Sequence, residues 1–372
     1  MKQKLFFLKP LLPILLLLTV TTLLIWGPFA LNDQMSRVFA NYDGPNYLII
    51  AKCGYNPDCI RTTFSQPLPL EYYPAHFPGY PGLIWLFDQV LPGWWAMLAV
   101  NFLATASLTT IFYLLLKDLK VKGAAWLVTL ALFLPARIMI LRSVGAPETL
   151  FITLLLASIY FFRKKKYLFS GLLLALAQTI KSPAVLLFGA YLITIFLKDV
   201  WGKKKIKAKR LMKYWPLILG PLTIIPIFLI FQRQTGNFLA YFHSGDNFHL
   251  VFPPFQTFVS SRSWLGDFWL EDIIYLYFLG GMAVTLLWKK YKADILAIFP
   301  MVFYAATLFI AHRDLARYLS PLYPFWILAF APFLKKKEFK IVFFLLLPAI
   351  YLYTINFINY NLAPVADWTP YF

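Results

Sequence analysis

Two carboxylates carry the first chemical signal in this chain. Asp43 sits in Asn41-Tyr42-Asp43-Gly44, and Glu148 follows Arg142-Ser143-Val144-Gly145-Ala146-Pro147. A carboxylate can take a proton from an acceptor hydroxyl or hold a divalent cation such as Mg2+ or Mn2+. An ordinary structural account exists for each. Asp at the start of a short helix can accept orphan backbone N–H groups, and Glu in a first helical turn meets a favourable dipole. The basic residues that could face an anion are Arg142, Lys181, Arg313 and Arg317. Arginine suits bidentate contact with phosphate, and lysine acts as a point charge. Lys181 could equally snorkel to an interface, and His312-Arg313-Asp314 with Arg317 could be a surface ion-pair loop. His76, Tyr47 and Glu71, in the aromatic segment after the first hydrophobic run, are further candidates to touch substrate. His243, Asp246 and His249 match no metal-ligand spacing.

These residues must be positioned by membrane elements. The 372 residues are 60% hydrophobic, 19% aromatic and only 14% charged, whereas soluble domains carry about 25% charged residues. Crossing a hydrocarbon core takes ~20 helical residues, and such runs recur along the chain. They predict an all-α polytopic protein, a single domain over 1–372, with about eleven transmembrane helices. These lie near 10–31, 94–116, 123–141, 147–162, 167–181, 183–198, 213–231, 273–288, 293–311, 318–334 and 341–358. Of 35 Lys and Arg, 25 fall on one side of that arrangement. The positive-inside bias makes this side cytoplasmic and places the N-terminus inside. Long segments at 32–93 and 232–272 then lie outside, the first with short interfacial helices at Gly44–Ala51 and Pro78–Gln89. A net charge of +19 spread over short loops is a topology signal and argues against a nucleic-acid partner. Membrane lipids are the partners it implies, and the 203–210 basic run needs no more than anionic headgroups. Cys53 and Cys59 are close enough to pair, and outside the cytoplasm a disulfide is permitted.

A family resemblance runs through these same positions. Tyr42-Asp43-Gly44-Pro45-Asn46-Tyr47-Leu48-Ile49-Ile50-Ala51-Lys52-Cys53-Gly54-Tyr55 resembles W-D-x-x-x-Y-x-x-I-A-x-x-G-Y of the PIG-V-like mannosyltransferases, members of the GT-C superfamily. Tyr73 to Ile84 is similar to their aromatic-proline run F-F-P-L-Y-P-x-L-I. Pro147-Glu148-Thr149-Leu150-Phe151 is similar to [ST]-E-[ST]-L-F, and Gly171 to Lys181 to G-x-x-x-x-L-A-x-x-T-R, with Lys for Arg. Arg317 to Pro324 is similar to R-F-x-x-P-x-x-P. The order is kept over roughly residues 40–325, and Tyr42 stands where the motif has Trp. The resemblance implies a GT-C-like fold and inverting transfer of a sugar, mannose or another hexose, from a polyprenyl-phosphate donor. The acceptor would be a glycan, a lipid or a protein outside the cytoplasm. It makes Asp43 the base, with Arg142, Lys181, Arg313 and Arg317 as candidates to meet the leaving phosphate, Glu148 as a second acid facing Asp43 for metal or substrate hydroxyls, and a cation held by Asp43 and Glu148 where metal is used. The competing class is a transporter or lipid flippase of the cell envelope, in which charged residues gather at the bilayer midplane. Short loops and the lack of an N-x-[ST] sequon suit a bacterial plasma membrane.

Overall fold

The computed structural model describes residues 9–65, 68–202, 211–245, 249–266 and 270–371. The basic run at 203–210 and Asp246 lie outside them. Among the described residues the protein is helical, with two isolated bridges, Asn41 to Leu362 and Leu250 to Ile310, and no longer strand pairing.

Among the described residues, eleven helices of ten or more residues organise the fold. They are α1 (Leu11–Leu31), α2 (Gly44–Cys53), α3 (Gly79–Asp88), α4 (Gly93–Asp118), α5 (Glu148–Arg163), α6 (Tyr167–Ile180), α7 (Val185–Ile195), α8 (Ile224–Thr235), α9 (Leu270–Tyr291), α10 (Ile295–Thr307) and α11 (Lys337–Tyr360). Shorter turns join or extend them. Among the described residues, six helical stretches are long and apolar enough to cross a membrane: α1, α4, Ser182–Val200 around α7, Trp215–Thr235 around α8, α9 and α11. Rows of exposed leucines such as Leu12, Leu16, Leu23 and Leu24 on α1 and Leu345 and Leu346 on α11 have the apolar outward face that lipid requires.

Several expected crossings are shorter or broken. The 123–141 run divides into Ala124–Leu130 and Arg137–Leu141. The Leu134–Pro135 peptide between them is cis. The 318–334 run divides into Leu315–Tyr318, Ser320–Leu322, Tyr323–Ala329 and Ala331–Leu334. Pro135, Pro321, Pro324 and Pro332 explain the breaks, because each removes a backbone donor and crowds the preceding turn. Lys181 interrupts the 167–198 stretch in an extended conformation, so α6 and α7 are separate helices.

The 32–93 segment folds as part of the bundle. α2 was expected to lie on the membrane with Tyr47 and Leu48 to Ile50 facing lipid. Instead Gly44 to Ile50 are buried, because the helix packs between α3 and α4. Tyr47 is 4% exposed and Ile49 fully covered. An outward apolar edge remains at Trp85 and Leu86 of α3 and at Val90 and Leu91 just beyond it. Cys53, the last residue of α2, is disulfide-bonded to Cys59 with the Cα atoms 5.6 Å apart. The C-terminal segment straps the same region. Ala363 N–H donates to the Ala40 carbonyl at 2.7 Å, Lys52 Nζ to the Pro370 carbonyl at 2.8 Å, and Tyr371 stacks edge-on against Phe64.

Candidate active site

Four segments far apart in sequence converge on one ionic cluster. Asp43 occupies the N-cap position of α2, yet its side chain makes no capping hydrogen bond. The helix-capping account of this carboxylate therefore fails. Asp43 turns instead to Arg317, whose Nη2 donates to Oδ2 at 2.8 Å. Arg317 lies in the short helix Leu315–Tyr318 before the proline-broken stretch. Its Nε donates to Glu148 Oε1 at 2.7 Å, so one guanidinium serves two carboxylates through different nitrogens. Lys181, at the extended break after α6, donates to the same Glu148 oxygen at 2.5 Å. His76 Nε2 lies 3.7 Å from Asp43 Oδ1, beyond good hydrogen-bond length but close enough for electrostatic contact.

Two glycines permit this meeting. A Cβ on Gly145 would sit 2.3 Å from Met97 Sδ and 3.1 Å from the Gly44 Cα. One on Gly44 would sit 2.5 Å from the Phe39 carbonyl oxygen. The bare Gly145 lets the loop leading to Glu148 approach the loop carrying Asp43, and the bare Gly44 lets the chain turn closely over Phe39 within its own segment.

Burial is graded across the cluster. The Glu148 side chain is 3% exposed, Arg317 17%, Asp43 22% and Lys181 27%. Glu148 is thus the anchored inner member, and Asp43 and Lys181 stand at the open rim. Burial by itself raises the Asp43 carboxyl, but Arg317 and His76 outweigh it and hold the group far below the usual carboxylate range. Glu148 Oε2 and His76 Nδ1 are among the buried polar atoms that make no hydrogen bond within the described residues. Both belong to cluster residues, and leaving such atoms unpaired costs ~1–3 kcal/mol each.

A second ionic layer backs the first. Arg137 pairs with Asp314, Nη2 to Oδ1 2.9 Å, and donates from Nη1 to the Tyr42 hydroxyl at 3.2 Å. It also lies over the Phe357 ring at 4.3 Å. The Tyr42 ring in turn carries the Arg317 guanidinium 4.3 Å from its centroid. Tyr42, held at a positive φ of 51°, is therefore wedged between two arginines. The sequence offered Asp314 only as part of a surface ion-pair loop and gave Arg137 no role. An arginine inside an apolar run was the available signal, since such a charge needs a partner.

Of the residues singled out from sequence, Asp43, Glu148, Lys181, Arg317 and His76 assemble. Tyr47 backs them with its ring edge-on to His76, centroids 5.0 Å apart. Arg142 does not join. It is 1% exposed and donates to Thr21 Oγ1 at 2.9 Å, Thr22 Oγ1 at 3.0 Å and the Leu132 carbonyl at 3.1 Å. It therefore ties α1 to the broken 124–141 stretch. Glu71 is exposed on the 3-10 turn Leu70–Ala75, away from these pairs. His243 bonds Asn237, and His249 packs on His312 with centroids 4.8 Å apart.

The expected cation pair, Asp43 and Glu148, shares Arg317 instead. Among the described residues no three His, Cys, Asp or Glu side chains converge as a metal site. The guanidinium already fills the gap between the two carboxylates, so as arranged these donors do not fit a divalent cation. The chain matches no protein-family model, no curated protein and no solved structure.

Proposed function

We propose that this protein is a membrane glycosyltransferase of the GT-C type. It would transfer a hexose, such as mannose, from a polyprenyl-phosphate carrier to a hydroxyl of a glycan, lipid or protein acceptor, with inversion at the anomeric carbon. The observation that carries the reading is the convergence of Arg317 and Lys181 on Asp43 and Glu148 at a partly open rim. In the reaction the acceptor oxygen attacks C1 of the sugar and gives its proton to Asp43. The bond from C1 to the phosphate oxygen breaks, and the electron pair stays on the phosphate. Arg317 and Lys181 meet the charge that develops there, a contribution that in comparable sites reaches about 10²–10³-fold in rate per donor. Glu148 fixes both cations by accepting from each. No step is routed through a metal.

Orientation follows from charge. The charge asymmetry of the loops supports an N-terminus in the cytoplasm and Asp43 on the outer side of a bacterial plasma membrane. The Cys53–Cys59 disulfide supports that side, since oxidising compartments keep such bonds. The positions that resemble the PIG-V-like motifs hold all four members of the cluster, which favours sugar transfer over transport.

The test is purified protein in lipid micelles, supplied with a panel of polyprenyl-phosphate hexoses and candidate acceptors. Sugar transfer with release of polyprenyl phosphate is the expected result. Movement of intact lipid-linked sugar across a vesicle, with no cleavage, would replace this reading with the flippase.

A further inference from the structure

As arranged, the candidate base is disabled. Arg317 and His76 stabilise the ionised form of Asp43, and a general base works best when its affinity for a proton approaches the operating pH. The groups facing Asp43 are His76, Tyr42 and Tyr47 from the 32–93 segment, Glu148 from α5, Lys181, and Arg317 with Tyr318. Arg317 is the one that touches it at ion-pair distance.

Resting on the glycosyltransferase reading, we propose that the donor's phosphate unmasks Asp43 by drawing Arg317 away from it, so that donor must bind before an acceptor hydroxyl can be activated. Three observations point the same way. Arg317 holds Asp43 and Glu148 through different nitrogens, so it can release one and keep the other. The Asp43 pair lies on the exposed side, with Asp43 at 22%, while Glu148 at 3% is sealed behind it. A phosphate arriving from the rim therefore meets the Asp43 edge of the guanidinium first. The Tyr42 ring beneath Arg317, itself held by Arg137, supports the guanidinium plane while its hydrogen bonds change partners. Phosphate can engage that fork bidentately, whereas Asp43 holds it through one hydrogen bond. Loss of Arg317 leaves Asp43 half-buried beside Glu148, which restores its appetite for a proton. The device orders the reaction, because Asp43 is a competent base only when a leaving phosphate is in place.

The experiment reads the protonation of Asp43 directly. A hydrophobic carbodiimide modifies carboxyl groups in their protonated form, and peptide mass mapping locates the adduct. Wild-type protein is treated at pH 6 alone, with a short-chain isoprenyl monophosphate lacking sugar, with the matching isoprenol, and with inorganic phosphate. Ligand binding is followed separately by intrinsic tryptophan fluorescence. Labelling of Asp43 should rise about tenfold for each pK unit recovered, with isoprenyl phosphate only. Binding of isoprenyl phosphate without increased labelling overturns the inference and leaves the glycosyltransferase reading standing. An equal rise with inorganic phosphate overturns the requirement for a lipid carrier. Absence of isoprenyl-phosphate binding removes the glycosyltransferase reading and the inference with it.

Discussion

Removal of the Arg317 guanidinium is the perturbation with the most readable consequence. In Arg317→Gln, two carboxylates lose a shared cation. Lys181 still compensates Glu148 at 2.5 Å, but Asp43 keeps only His76 at 3.7 Å. Breaking one partner of a buried pair costs ~3–5 kcal/mol. Asp43 and Arg317 are about one-fifth exposed, which places the expected loss near the low end, about 3 kcal/mol. Arg317→Lys keeps the charge but cannot reach both carboxylates with separate donors. It forfeits one charge-assisted hydrogen bond, about 2 kcal/mol. Adding Asp43→Asn to Arg317→Gln removes the orphaned anion with its cation, so the double variant should be more stable than the sum of the singles by about 1 kcal/mol or more, as coupled sites are on the order of 0.5–3 kcal/mol non-additive. The assay is denaturant unfolding in mixed micelles, followed by tryptophan fluorescence. Arg317→Gln within about 0.5 kcal/mol of wild type, the range of ordinary surface changes, would refute the reasoning, and so would strict additivity in the double variant.

Further outcomes follow from the same geometry. Gly145→Ala drives a Cβ into Met97 Sδ and toward the Gly44 backbone; about 1–3 kcal/mol of overpacking cost is expected, with sugar transfer falling more than stability because Asp43 is pushed from Glu148. Replacing Cys53 and Cys59 by Ser opens a loop of seven residues, and the loop-entropy relation gives a loss of about 2 kcal/mol, measurable as the difference between oxidised and reduced protein. Burial, helped by His249, Arg317 and Arg313 and opposed by Asp314, pushes His312 down to about 4. Its folded value is below the unfolded one, so its contribution to stability is intact above about pH 6.5 and lost as pH falls toward 4. His312→Gln should flatten that slope in a pH series of unfolding midpoints.

The sequence makes the helical class legible because charge and apolar runs count directly toward bilayer energetics. It does not make the crossings legible one by one. Apolar length cannot register a missing N–H, so the runs holding Pro135 and Pro324 read as whole helices and fold as fragments. The site is more legible than the fold. Basic residues are scarce at that end of the helices, so Lys181 and Arg317 stand out, and each must find an anion. Arg142 shows the limit of that logic. Its depth along the chain is right, but its azimuth turns it to Thr21 and Thr22, and azimuth depends on packing that no local pattern encodes. The burial of α2 escaped for the same reason. A short apolar helix looks alike whether lipid or α4 covers it.

The most direct measurement is sugar transfer by Asp43→Asn protein, purified and folded, from a polyprenyl-phosphate hexose to its acceptor. Asn keeps the size of the side chain and its place beside Arg317 but cannot take the acceptor's proton. Transfer should fall by the 10²–10⁴-fold typical of lost general-base catalysis while donor binding persists. Transfer at the wild-type rate would contradict the role given to this carboxylate.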